Sequence, residues 1–133
     1  MLHHVTLHLA RSKQFPEGSS RYGYEITAPL DDKGHLDQQE WSDKRAHCRV
    51  RRFWAGEERQ GVLVHRPGGF GGATWMIDYI QDRPGDEEAG YHLHQHRFVE
   101  GEYVTIEDDD GKPYTFQVVS VTPAELRKAE EHR

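Results

Sequence analysis

The fold is decided by residues 91–121, which read YHLHQHRFVEGEYVTIEDDDGKPYTFQVVSV. Apolar and polar residues alternate here, and turn-forming residues interrupt the alternation, which predicts three strands joined by tight connections. The last two strands, at residues 102–107 and 114–121, flank the sequence Asp-Asp-Asp-Gly-Lys. Its Asp-Gly pair supplies the positive φ that a hairpin turn needs. The segment therefore predicts an antiparallel hairpin preceded by a histidine-rich strand.

The same alternation occurs nearer the start of the chain. In residues 4–9, Val5, Leu7 and Leu9 alternate with polar residues, which predicts an amphipathic first strand. Further strands are predicted at residues 22–28, 46–54, 60–65 and 73–80.

Two short helical segments are also predicted. Residues 36–45 lack alternation and form helical turns, with Asp37 as the cap and Trp41 packed inward. Near the end of the chain, Thr122 can cap a helix, Pro123 suits its first position and Glu125 closes a capping box. This pattern predicts a C-terminal helix over residues 123–132.

These elements predict an all-β fold in a single domain over residues 1–133, a length typical of one domain. About seven to eight mostly antiparallel strands form a small barrel or a sandwich, with the short helix at the C-terminus. A closed or nearly closed barrel is preferred because closure removes unpaired strand edges. Hydrophobic residues make up only 35%, so the core is thin, although 3 Trp, 6 Tyr and 5 Phe can each bury a large area.

Several classes of protein are excluded or disfavoured by composition. No stretch approaches the run of about 18 apolar residues that spans a bilayer, and the first residues lack the pattern of a secretory signal. Cys48 is the single cysteine, which excludes an internal disulfide and a cysteine-based zinc site. The sequence therefore predicts a soluble, cytoplasmic protein without a membrane partner, and no cofactor is assigned.

Charge is distributed unevenly along the chain. The net charge of −6 argues mildly against nucleic acid as the main partner. Residues 44–66 are nevertheless basic, and residues 78–110 are strongly acidic. Two such segments in one small domain face each other or lie on opposite sides of it.

The histidine-rich strand is a candidate metal site. His92, His94 and His96 share one face if the segment is extended, and neutral imidazole nitrogens bind divalent transition metals. His92 and His96 would lie about 13 Å apart at 3.3 Å per residue, so one strand supplies two ligands and another element supplies the third. The alternative is a polar, solvated strand face. Candidates for the further ligand are His4, His8, His47, His65, Asp86, Glu87 and Glu88.

The basic strand at residues 44–54 is a candidate polyanion site. Alternation places Arg45, His47, Arg49 and Arg51 on one face together with Phe53, and the apolar residues on the other. A basic face that ends in an aromatic ring can hold a phosphate backbone and stack a base. The alternative is cross-strand pairing with acids from residues 78–110, or plain solvation.

The remaining motifs do not predict a catalytic or ligand-binding site. The glycine-rich residues 67–72 lack the Gly-Lys-Ser/Thr of a phosphate-binding loop and predict a hairpin tip, and residues 81–90 predict a polar loop. Cys48 falls in the apolar register of its strand, which predicts a buried and inert thiol. No Gly-x-Ser-x-Gly elbow is present, and residues 108–110 lack the spacing of a calcium loop.

Three functions therefore stay open. The first is a small interaction or ligand-binding β-module of unknown specificity, with a protein partner or a second copy of the chain as its partner. The second is a metal-binding protein or metal-dependent enzyme that uses His92, His94 and His96. The third is a nucleic-acid or polyanion-binding barrel that uses Arg45, Arg49, Arg51 and Phe53.

Overall fold

The computed structural model describes residues 1–66, 75–79, 87–89, 96–107 and 112–124. Within these residues the chain forms one sheet of eight strands and one short α-helix. The helix, α1, spans Gln38–Lys44 and is followed by a 3-10 turn at Arg45–His47. The strands are β1 Leu2–Leu9, β2 Ser19–Pro29, β3 Arg49–Trp54, β4 Glu57–His65, β5 Trp75–Tyr79, β6 Glu87–Ala89, β7 Tyr103–Glu107 and β8 Pro113–Pro123.

All neighbouring strands run antiparallel, in the order β6-β5-β4-β3-β2-β1-β8-β7. The sheet curls into a half-barrel, and its edge strands β6 and β7 approach each other. No backbone ladder joins these two edges in the described ranges, so the barrel is open. The all-β, antiparallel architecture and its barrel-like curvature are confirmed, but the preferred closure of the barrel is not, because the barrel is open.

The core lies on the inner face of the curled sheet. Along β1, Val5, Leu7 and Leu9 are at most 5% exposed, and the polar residues between them point to the outer face. Tyr24 of β2 and Phe116 of β8 meet edge to face within this core, with 5.1 Å between ring centroids. The predicted alternation of the first strand is thus confirmed: its apolar residues face the core and its polar residues face outward.

Helix α1 is held by a cap and by one part-buried hydrogen bond to β4. The Asp37 side chain accepts hydrogen bonds from the backbone N–H groups of Gln39 and Glu40, at 3.0 and 3.2 Å. The indole Nε1 of Trp41 donates to the Leu63 carbonyl at 2.8 Å, which fixes the helix against β4. The predicted cap and the inward packing of Trp41 are both confirmed.

The predicted C-terminal helix does not begin where the capping pattern placed it. Thr122 and Pro123 belong to β8, where they pair with His4 and His3 of β1. Ala124 still donates its backbone N–H to the Leu2 carbonyl, at 2.9 Å. Backbone pairing with β1 therefore overrides a local capping signal, which is worth only about 1 kcal/mol. The rest of the predicted helix lies outside the described residues.

Two further predictions differ from the structure in the type of element that they placed. The third strand begins at Arg49 rather than Ala46, because residues 45–47 form the 3-10 turn and Cys48 donates its N–H to the Arg45 carbonyl. Ala46 is consequently exposed. The predicted loop at residues 81–90 contains the three-residue strand β6.

The predicted glycine-rich hairpin tip at residues 67–72 and the Asp-Gly turn of the last hairpin lie outside the described residues. No helix in the described part of the chain has the length and apolar character needed to cross a membrane.

Candidate functional site

A groove of about 330 Å³ crosses the outer face of the first four strands. Strand pairing assembles it: His4 of β1 lies opposite Thr27 of β2, Glu25 of β2 lies opposite Arg51 of β3, and Arg51 lies opposite Gln60 of β4. We call this the outer groove, and the side chains that define it are His4, Glu25, Thr27, Arg49, Arg51 and Gln60.

Arg51 is held by two carboxylates. Its Nε donates to Glu25 Oε1 at 3.0 Å, and its Nη1 lies 3.1 Å from Glu58 Oε2. The hydrogen bond from Arg51 lowers the pKa of Glu25, and the same bond raises the pKa of Arg51. Arg51 therefore keeps its charge and a fixed direction. Arg51 is thus paired with acids across strands, but these acids belong to β2 and β4 and not to residues 78–110, where the sequence analysis placed them.

Phe53 packs on the outer face instead of projecting from it. Gly23 lies opposite Phe53, and a Cβ added at Gly23 would lie 2.9 Å from the Phe53 ring. The His8 ring meets Phe53 edge to face at 6.0 Å, and the Arg51 Cζ atom lies 4.9 Å from the Phe53 centroid. The Phe53 ring therefore covers Gly23, and the side chains of His8 and Arg51 pack against the ring.

Arg49 is the more available cation of the groove. It is exposed, lies opposite Val62 of β4, and makes no ion pair within the described ranges. His4, Thr27 and Gln60 line the same groove: His4 Nδ1 and Thr27 Oγ1 lie 3.2 Å apart, and Gln60 is exposed. A guanidinium with polar neighbours of this kind can bind a carboxylate or a phosphate oxygen.

The structure brings together three of the four residues predicted to bind a polyanion. Arg49, Arg51 and Phe53 share the outer face of β3, whereas Arg45 lies on the 3-10 turn with its Cζ atom 5.7 Å from the centroid of the Trp41 ring. The extended alternation breaks at this turn, so Arg45 leaves the face. Sequence reasoning did not connect His4, Thr27 and Gln60 with this site, because only strand pairing brings them to it.

The predicted histidine row remains untested. His92 and His94 lie outside the described residues, and His96 lies half-buried in a bend rather than in a strand. No group of three or more potential ligands that could hold a metal occurs in the described part of the chain.

The candidates for a further metal ligand are dispersed over the fold. His4 and His8 lie on the outer face of β1, and His47 lies on the exposed 3-10 turn. The His65 ring lies 5.9 Å from Trp41 and 4.7 Å from Trp75, between centroids. Glu87 and Glu88 belong to β6, and Asp86 lies outside the described residues.

Cys48 is buried beside the 3-10 turn. Its thiol donates to the Lys44 carbonyl at 3.5 Å, and burial raises its pKa to about 11. The thiol therefore stays protonated near neutral pH and is a poor nucleophile. This agrees with the prediction of an inert cysteine.

Comparison with known proteins names no relative. No protein-family model matches the chain, no curated protein matches it, and no solved structure matches it.

Proposed function

We propose that the protein is a binding module whose outer groove holds a small anionic ligand through a carboxylate or phosphate group. The observation that carries the proposal is the exposed guanidinium of Arg49, which lies in the groove without an ion pair in the described residues. Beside it, Arg51 adds a second positive charge in a fixed direction.

The size and charge of the groove favour a small ligand over a polymer. Its volume of about 330 Å³ is at the lower end of the range for small-molecule sites. A nucleic-acid strand needs a row of cations along its phosphates, whereas Arg51 is already shared by two carboxylates. The net charge of −6 also opposes a long polyanion.

The carboxylate of Glu25, which lies in the groove, accepts a hydrogen bond from Arg51. The hydrogen bond from Arg51 lowers the pKa of Glu25, so this group stays ionised near neutral pH and is a poor proton donor. A metal-dependent function of the histidine row, a protein partner or second copy, and a cytoplasmic location stay predictions.

The proposal is tested by titrating the protein with inorganic phosphate and with acetate while the arginine Nε–H signals are followed by NMR. We expect saturable binding, and Arg49→Gln weakens it by about tenfold or more, since a charge-assisted hydrogen bond contributes roughly 1.5–3 kcal/mol. Arg45→Gln is the matched control, because Arg45 lies on the 3-10 turn, away from the groove. We expect this variant to bind both anions with an affinity close to that of the wild type.

Equal affinity of the wild type and Arg49→Gln, or an absence of saturable binding by both anions, overturns the proposal. A single-stranded oligonucleotide is titrated in parallel. Salt-dependent binding of the oligonucleotide that exceeds the affinity for phosphate supports the polymer instead of the small anion.

A further inference from the structure

Two polar side chains flank Arg51 in the outer groove. Glu25 of β2 lies opposite Arg51 on one side, and Gln60 of β4 lies opposite it on the other. Both are exposed, and both line the groove together with Arg49, which precedes Arg51 by two residues on the same face of β3. Glu25 and Gln60 are therefore diagonal neighbours of Arg49 on the two adjoining strands.

The polar side chains of the groove have unused hydrogen-bonding capacity. The Gln60 amide makes no side-chain hydrogen bond within the described ranges. Glu25 Oε1 accepts from Arg51 Nε, whereas Glu25 Oε2 accepts no hydrogen bond from any described residue. Thr27 Oγ1 lies 3.2 Å from His4 Nδ1, and a hydroxyl group both donates and accepts. An amide, a carboxylate and a hydroxyl thus offer donors and acceptors to a ligand.

The groove is larger than the anionic group that Arg49 would bind. Its volume is about 330 Å³, which a single carboxylate or phosphate group does not fill. The apolar residues of its lining contribute little surface, because Val5, Ile26 and Val50 are at most 2% exposed. A hydrocarbon chain placed here would cover polar side chains without pairing them, which costs free energy. The rest of a ligand therefore fits best if it carries hydroxyl groups.

We propose that the outer groove binds a small hydroxylated anion, a sugar acid or a sugar phosphate, with its anionic group at Arg49 and its hydroxyl groups at Glu25 and Gln60. This inference rests on the function proposed above and adds the chemical class of the ligand. Neighbouring strands lie about 4.8 Å apart, so the backbones of Glu25 and Gln60 lie about 10 Å apart across β3. The length of a six-carbon sugar acid is comparable with this span.

The probes are D-gluconate and hexanoate, two six-carbon carboxylates of equal charge, of which only gluconate carries hydroxyl groups. Each is titrated into the wild-type protein while the arginine Nε–H signals are followed by NMR. We expect gluconate to bind more tightly by about fivefold or more, because a site that hydrogen-bonds hydroxyl groups rejects an analogue that lacks them. Glucose 6-phosphate is titrated in parallel, and the tighter of the two hydroxylated ligands identifies the anionic group as a carboxylate or a phosphate.

The Gln60→Met variant removes the amide at similar side-chain length, and its position is exposed, so the core stays intact. We expect it to weaken gluconate binding by about threefold or more and hexanoate binding by less than about twofold, because only gluconate has hydroxyl groups for the amide. Gln39→Met, at an exposed position on α1, is the matched control and keeps the wild-type affinity for both. Arg49→Gln weakens the binding of both ligands, since both carry a carboxylate.

The outcomes separate the class of the ligand from the anion-binding function. Hexanoate that binds as tightly as gluconate, with both weakened by Arg49→Gln, overturns the hydroxylated ligand and leaves the anion-binding function in place. An equal effect of Gln60→Met on the two ligands has the same consequence. An absence of saturable binding by acetate, phosphate and gluconate overturns both proposals, and so does uncharged glucose that binds as tightly as gluconate.

Discussion

Arg51 fixes the positions of three side chains on the outer face. Its guanidinium contacts the carboxylates of Glu25 and Glu58 and also lies over the Phe53 ring. A single exposed ion pair contributes only about 0–1 kcal/mol. Two carboxylates on one guanidinium nevertheless define its direction, so the neighbouring Arg49 becomes the donor with most freedom to meet a ligand.

Glu25 links the stability of the fold to acid pH. The hydrogen bond from Arg51 lowers the pKa of Glu25 below its ordinary value of 4.5. A carboxyl whose pKa is lower in the folded than in the unfolded chain stabilises the fold above that ordinary value, and the stabilisation is lost as the pH falls through the folded pKa. We therefore expect wild-type protein to lose more unfolding free energy than Glu25→Gln between about pH 5 and pH 3.

Urea unfolding at a series of pH values measures this difference. It should be well below about 1 kcal/mol, because the pair is partly exposed and screened by solvent. Glu17→Gln is the control, since Glu17 is exposed and forms no ion pair in the described residues. Parallel pH profiles for the wild type and Glu25→Gln would contradict the role given to this carboxylate.

At the scale of elements, a local sequence pattern predicts the structure correctly where the groups that it pairs are close in the sequence. The cap of α1 was predictable because Asp37 and its backbone donors lie within three residues of one another. The end of β8 was not, because Pro123 pairs with His3, far away in the sequence. The predicted start of β3 was wrong for a related reason. The alternation of apolar and polar residues in the sequence continues through residues 45–47, but in the structure these residues form the 3-10 turn and not an extended strand.

The cap of α1 should contribute measurably to stability. Asp37→Ala removes the acceptor for two backbone N–H groups, and we expect a loss of about 1 kcal/mol of unfolding free energy, measured by urea denaturation. Asp43→Ala, an exposed aspartate within the same helix, should change it by no more than about 0.5 kcal/mol. Equal losses in the two variants would show that the cap hydrogen bonds do not stabilise the helix.

At the scale of the whole molecule, the curled sheet separates two sets of arginines. Arg51 and Arg52 are consecutive, yet they point to opposite faces, one towards the outer groove and one towards the core. The outer set was partly predictable from alternation within β3. The aromatic contacts of the inner arginines Arg52 and Arg59 were not predictable, because the rings involved come from β2, β3, β5 and β8, and no local pattern encodes strand pairing at such separations.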